Sequence, residues 1–326
     1  MSGASGIRLV LVKRRTRLEE LVARYNTVRQ AQFVIESMGE DFSDYLREDE
    51  AYRKALSRTQ QSLGELGIVQ LLDRAHVPNY LFGPSDTVVA LGQDGLVAGT
   101  LKYLDGQPLI GVNPDPMRWD GVLLPFRVGD LPKIVPETAA GRRRVREVTM
   151  AKAALNDGQS LYAVNDFYIG RRTHVSARYR IASGGKAEQQ SSSGIIVSTG
   201  VGSTGWLKSV LAGASGIARR AGFVGAGETI VPGSGRHDGK TDADAERLEW
   251  ESDWLRFTVR EPFPSRTTGT ELVYGRIESG QALEVVSQMP EGGVIFSDGV
   301  EEDYLAFRSG LRATIGVAEK KGRLVV

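Results

Sequence analysis

Over the first 112 residues, compact apolar runs alternate with longer stretches in which apolar positions recur every three or four residues. Residues 7–12 form a continuous β-rich run and predict a first strand. Thr16 followed by Glu19 has the pattern of a capping box. Leu18, Leu21, Val22, Tyr25 and Val28 then repeat at helical spacing, which predicts one long amphipathic helix. A second helical stretch starts at about Asp49, carries Tyr52, Leu56, Leu63 and Leu66, and stops at Gly67. Residues 68–72, 87–91 and 108–112 are short apolar runs bounded by Gly, Pro or Asp, as buried parallel strands are, and 96–104 reads as a helix. Strands alternating with helices predict an α/β domain with a Rossmann-like parallel sheet.

Beyond about Pro125 the helical period fades and short alternating segments separated by Gly, Ser, Pro and Asp take over. Candidate strands are 144–150, 161–169, 175–181, 194–198, 254–259, 272–277, 283–287, 294–297 and 311–317. Residues 222–246 are rich in Gly and charge and read as a long mobile loop. The pattern therefore divides the chain into an α/β domain, 1–125, and a β domain, 126–326.

Composition narrows the function classes. A chain of 326 residues exceeds the size at which one core keeps growing, so two domains are expected. Forty-one basic and forty acidic residues leave a formal charge of +1 and no basic field for a polyanion, so nucleic acid is not an expected partner. No run of about 18 apolar residues exists and the start lacks a basic-then-apolar leader, so no membrane span and a cytoplasmic location are expected. Cysteine is absent, which removes disulfides and thiolate chemistry. His76, His174 and His237 are scattered, so no dedicated protein metal site is expected.

Three stretches combine the residue types that binding and transfer chemistry require. Gly92-Gln93-Asp94-Gly95 follows the strand 87–91 and precedes a helix. There, ligands of open α/β sheets bind, and a helix start offers backbone N–H groups to a phosphate. Asp94 between the glycines is a candidate base for a substrate hydroxyl, or else the cap of the helix. Asn165-Asp166 interrupts the apolar segment 161–169. It offers amide donors and carboxylate acceptors suited to a base edge and ribose hydroxyls, or else marks a bulge. Thr199, Gly200, Gly202, Ser203, Thr204, Gly205 and Trp206 join backbone access and hydroxyls to an aromatic wall.

Taken in order, these stretches resemble the NAD kinase family, and its mitochondrial type in particular. Residues 92–95 are similar to the family's Gly-Gly-Asp-Gly turn, and Ile110-Gly111-Val112-Asn113-Pro114-Asp115-Pro116 to the strand and loop that follow it. Asn165-Asp166-Phe167-Tyr168-Ile169-Gly170 is similar to its Asn-Glu segment, and Thr199 to Trp206 to its Thr-Gly-Thr-Gly-Ser-Lys-Ala-Trp form. Arg260-Glu261-Pro262 and Ser297-Asp298-Gly299 recur in the expected places.

The resemblance implies a Rossmann-like domain followed by a β-sandwich, with the extreme C-terminus packing back on the first domain and NAD held between the two. A homo-oligomer follows by the same analogy. Asp94 would activate the adenosine 2′-hydroxyl for attack on the γ-phosphate of ATP, which arrives with Mg2+ held largely by phosphate oxygens. Gly92, Gly95, Asn113, Asn165, Asp166, Thr199, Gly202, Ser203, Thr204, Gly205, Trp206 and Asp298 would line the nucleotide sites.

The chain also departs from the family. Gln93 stands where the family has Gly, Leu96 where it has Thr, Thr204 where the mitochondrial type has Lys, and Asp166 is one methylene shorter than Glu. Because positions 93 and 96 fall on the phosphoryl-donor side, a dinucleotide sensor with little or no transfer stays open; a lipid or sugar kinase of the diacylglycerol kinase-like superfamily stays open too, because diacylglycerol kinase relatives share the Asp-Gly turn.

Overall fold

A computed structural model describes residues 6–222 and 248–326. The predicted loop at 222–246 lies, apart from Gly222, outside the described residues. The chain divides into two compact units, Met1–Glu147 with Gly322–Val326, and Val148–Lys321.

The first unit runs β1 (Ile7–Lys13), α1 (Arg17–Tyr25), α2 (Val28–Ser37), α3 (Ser43–Gly64), β2 (Gly67–Asp73), β3 (Thr87–Leu91), α4 (Asp94–Leu101), β4 (Pro108–Asn113), β5 (Phe126–Arg127) and α5 (Leu131–Ala139). Its strands pair in parallel in the order β2-β1-β3-β4-β5. β1 thus has its sequence successor β2 on one side and β3 on the other. In such sheets ligands usually bind beyond the carboxyl ends of the strands at this reversal of order. The core joins Leu9, Leu11, Val89, Leu91, Ile110 and Val112 of the strands to Tyr52 and Leu63 of α3 and to Leu131, Ile134 and Val135 of α5.

The helices differ from the predicted ones for local reasons. The capping box forms: the Thr16 hydroxyl accepts from the Glu19 N–H at 3.1 Å, and the Glu19 carboxylate accepts from the Thr16 N–H at 3.0 Å. The single long helix breaks in two because Asn26 takes a left-handed φ of 68°, which Asn tolerates, and Thr27 caps α2. α3 starts six residues earlier than expected, at Ser43. Its buried Glu48 and Asp49 are paired by Arg14, Arg17, Thr16 and Arg53. α5 was not expected, since Pro132 and Pro136 interrupt its helical pattern.

The second unit contains β6 (Val145–Leu155), β7 (Ser160–Ala163), β8 (Asp166–Arg171), β9 (Ala177–Ser183), β10 (Lys186–Ser192), β11 (Ile195–Ser198), α6 (Trp206–Arg220), β12 (Trp254–Val259), β13 (Tyr274–Glu278), β14 (Leu283–Ser287), β15 (Gly293–Ser297), β16 (Val300–Ala306) and β17 (Arg312–Val325). One sheet has the order β13-β12-β11-β8-β15-β16 and is antiparallel throughout. The other pairs β10-β9-β14-β17, with β6 beside β17 and β7 beside β6. Side-chain alternation sends Phe167, Ile169, Val197, Leu255, Phe257 and Ile295 of the first sheet onto Ala151, Tyr179, Ile181, Val285 and Ile315 of the second, which makes a sandwich core.

β10 and β16 were not expected because both are polar, and both are terminal in their sheets, where charge and hydroxyls guard an exposed edge. α6 was hidden by Gly213, Ser215 and Gly216, which weaken helical propensity. The predicted strand 161–169 breaks at Val164 and Asn165 into β7 and β8. Among the described residues no helix is long and apolar enough to cross a membrane.

Candidate functional site

Two constellations emerge, one in each unit. In the first, β3 is buried at every residue and ends in the turn 92–95. Gly92 donates its N–H to the Val112 carbonyl at 3.1 Å. A Cβ at this position would sit 2.8 Å from Leu96 Cδ2, so a side chain here would have to displace Leu96, which fills the space beside the turn. Gln93 takes the cap position in extended backbone geometry and makes no side-chain cap. Asp94 opens α4, and its carboxylate accepts from the Leu123 N–H at 2.8 Å on one oxygen and from the Val122 N–H at 3.2 Å on the other. Asp94 is therefore held by a neighbouring loop and does not cap its own helix. Gly95 is exposed, with open space where a Cβ would point.

Asn113 ends β4 and is 5% exposed. Its Oδ1 accepts from the Asp115 N–H at 3.0 Å and its Nδ2 donates to the Trp119 carbonyl at 2.8 Å. Nearby, the ends of β1 and β3 are joined by Tyr52, whose hydroxyl donates to the Leu91 carbonyl at 2.9 Å and accepts from the Arg14 N–H at 3.0 Å. Burial pushes this phenol up to about 12, so it stays protonated.

In the second unit, Asn165, Asp166, Thr199, Gly202, Ser203 and Asp298 form one hydrogen-bonded cluster, which continues along the chain into Thr204, Gly205 and Trp206. Asp298 adopts a left-handed φ of 57° at the turn between β15 and β16. Its Oδ1 accepts from the Val164 N–H at 3.0 Å and the Asn165 N–H at 2.6 Å. The Thr199 N–H donates to the Asn165 carbonyl at 2.9 Å, and its hydroxyl to the Val164 carbonyl. Gly202 packs so tightly that a Cβ would lie 2.0 Å from the Asn165 carbonyl oxygen. The Ser203 hydroxyl donates to Gly200 O at 2.7 Å, while Thr204 and Gly205 are exposed.

Two side chains in this cluster lack protein partners among the described residues: the half-buried Asn165 amide and the Asp166 carboxylate, which is 8% exposed. Burial pushes the Asp166 carboxyl up to about 7, and the neighbouring Asp298 carboxylate adds to the effect. A buried group without a partner is one that a ligand hydroxyl or amine can satisfy. Trp206 stacks on Tyr168 with ring centroids 5.7 Å apart and planes 10° from parallel. Arg260 lies 5.3 Å from its centroid, and Tyr168 in turn meets Phe296 at 4.9 Å.

Sequence reasoning missed the Val122 and Leu123 amides, the Tyr52 tie and the Tyr168 platform. Backbone N–H groups carry no side-chain signature, and Gly121, which precedes the amide pair, is the single local sign of a tight turn. An open cavity of about 490 Å3 lined by Arg24, Arg29, Phe33 and their neighbours on α1 and α2 includes none of these residues. Its lining holds no carboxylate, and no hydroxyl other than the Tyr25 phenol. No group of three or more candidate metal ligands occurs among the described residues.

No family profile matches the sequence. The chain is 26% identical over 250 residues to the mitochondrial NAD kinase 2 of Rattus norvegicus, covering 61% of this chain and 59% of that protein. It is 28% identical over 250 residues to the mitochondrial NAD kinase 2 of Homo sapiens, covering 61% and 57%. The matched region thus spans somewhat more than half the length of these relatives. The fold is that of an NAD kinase from Archaeoglobus fulgidus solved in complex with ATP, with a TM-score of 0.56 at 15% identity over 98% of this chain and 93% of that one. The chain is thus similar to NAD kinases in sequence over 61% of its length and shares their fold over nearly all of it.

Proposed function

We propose that the chain is an NAD kinase, transferring the γ-phosphoryl group of ATP to the adenosine 2′-hydroxyl of NAD to form NADP and ADP. The observation that carries the reading is Asp94: a carboxylate at the carboxyl edge of β3, beside the point where strand order reverses, with each oxygen held by one backbone amide. In this role Asp94 accepts the 2′-hydroxyl proton as the new O–P bond forms and the bond from the γ-phosphorus to its bridging oxygen breaks. Asn165 and Asp166 supply the dinucleotide with an amide and a carboxyl that meet no partner among the described residues, and the Thr199 to Trp206 segment supplies backbone access beside an aromatic platform. The donor is the magnesium complex of ATP, its metal carried in by the phosphates.

The test is direct. Purified protein supplied with magnesium, ATP and NAD should form NADP, and Asp94→Asn should abolish turnover while NAD affinity changes little. Absence of NADP from wild-type protein that binds both substrates sinks the proposal. One observation favours a second reading, a dinucleotide sensor without transfer: Leu96, 2% exposed, puts an alkyl group beside Gly92 in the turn that the donor phosphates need.

A further inference from the structure

We propose that Asn113 is a positioning residue for the Asp94 carboxylate. It shapes the loop of residues 114–121 so that the next two backbone N–H groups close on Asp94. The inference rests on the reading of Asp94 as the group that receives the acceptor's proton.

The connection can be followed atom by atom within the first unit. Both polar atoms of the Asn113 side chain are spent on the loop, one on the Asp115 N–H and the other on the Trp119 carbonyl, so they hold its two ends together. Inside it the Asp115 carbonyl accepts from the N–H groups of Arg118 at 3.0 Å and Trp119 at 3.1 Å. Arg118 is anchored by an ion pair with Asp44 on α3.

The chain then turns at Gly121, whose φ is +65°. A Cβ there would lie 2.7 Å from Asn113 Nδ2, so the turn closes directly against the asparagine. The Leu124 N–H donates to Gly121 O at 3.0 Å, which leaves the N–H groups of Val122 and Leu123 inside the turn and aimed at Asp94. On the far side Gly111 of β4 leaves room for the Leu123 carbonyl, which would lie 2.1 Å from a Cβ at that position. One amide on each carboxylate oxygen fixes the side chain's rotation and decides which lone pairs remain for the acceptor. Misplacing a reacting group by about 1 Å costs on the order of 100-fold in rate.

Two measurements test the assignment. In steady-state kinetics, Asn113→Ala should lower kcat roughly tenfold or more while KM for NAD and for the ATP complex stays nearly constant. Asn113→Asp keeps the contact to Asp115 and should fall between, and it serves if the alanine variant does not fold. The second measurement needs no turnover: amide hydrogen exchange at Val122 and Leu123 should accelerate in both Asp94→Ala and Asn113→Ala. Unchanged exchange at these two amides in Asn113→Ala, or a fall in affinity with kcat intact, overturns the assignment. A wild-type chain that makes no NADP would defeat the kinase reading instead, and the exchange result would still decide whether Asn113 holds the clamp.

Discussion

Asp166→Asn is expected to stabilise the second unit, and by more as the pH rises. Asp166 is 8% exposed, meets no donor among the described residues and faces the Asp298 carboxylate, so its charged form is disfavoured in the native state. The folded chain keeps the proton up to about pH 7, whereas an unfolded chain releases it near 3.8. The native state therefore binds more protons throughout that window, and wild-type stability must fall as pH rises through it. At about 1.4 kcal/mol per pH unit, a window of roughly 3 units corresponds to about 4 kcal/mol, of which about 2–3 kcal/mol accrues between pH 5 and pH 8. Asn has nearly the same shape and cannot ionise, so the variant should lack this slope. Urea unfolding of both proteins across that range, followed by tryptophan fluorescence, reads the effect, since Trp206, Trp250 and Trp254 lie in the second unit and only Trp119 in the first. Subtracting the two stabilities removes every other titration. A difference that stays level between pH 5 and pH 8 would refute the reasoning, because it would mean that Asp166 is solvated or already paired with a donor.

Two further outcomes follow from the site geometry. Gly202→Ala should weaken NAD binding and destabilise the second unit by about 1–3 kcal/mol, since its Cβ would lie 2.0 Å from the Asn165 carbonyl oxygen and must displace either the 199–203 segment or the Asn165 backbone. Isothermal calorimetry and thermal melts check both effects, and near wild-type values in each would contradict the packing. Restoring Gly at 93 together with Thr at 96 should raise turnover by at least severalfold if Leu96 hinders the donor phosphates. An unchanged kcat for ATP would show that the alkyl group beside Gly92 is harmless.

The strands 87–91, 254–259 and 283–287 were legible to the residue, because continuous β-rich runs with turn formers at both ends leave little choice of period. Asp94 was legible as a candidate for a similar reason, since a carboxylate between glycines after a buried strand is a local pattern. Other features depend on partners distant in sequence. The break at Asn26 requires a backbone conformation that many asparagines never adopt, and β10 and β16 are polar because of where they end up in their sheets. Within the site, Asn113 reads as a ligand-facing amide until the loop that consumes it is seen, and the isolation of Asp166 is a property of its surroundings. The Val122 and Leu123 amides were out of reach in principle, because every residue except proline carries the same N–H.

The end of β17 has a consequence for biosynthesis. Arg323 and Leu324 pair in parallel with Pro108 and Leu109 of β4, the Arg323 guanidinium donates to Gly106 O at 2.8 Å, and the Val326 N–H donates to Arg144 O at 3.1 Å. The first unit's sheet therefore contains a strand that leaves the ribosome more than two hundred residues after its partner. Until that segment emerges, β4 offers part of an unpaired apolar edge to any nascent chain nearby. The first unit cannot complete its sheet until residues 323 and 324 have been made, so closing it comes late in the unit's folding.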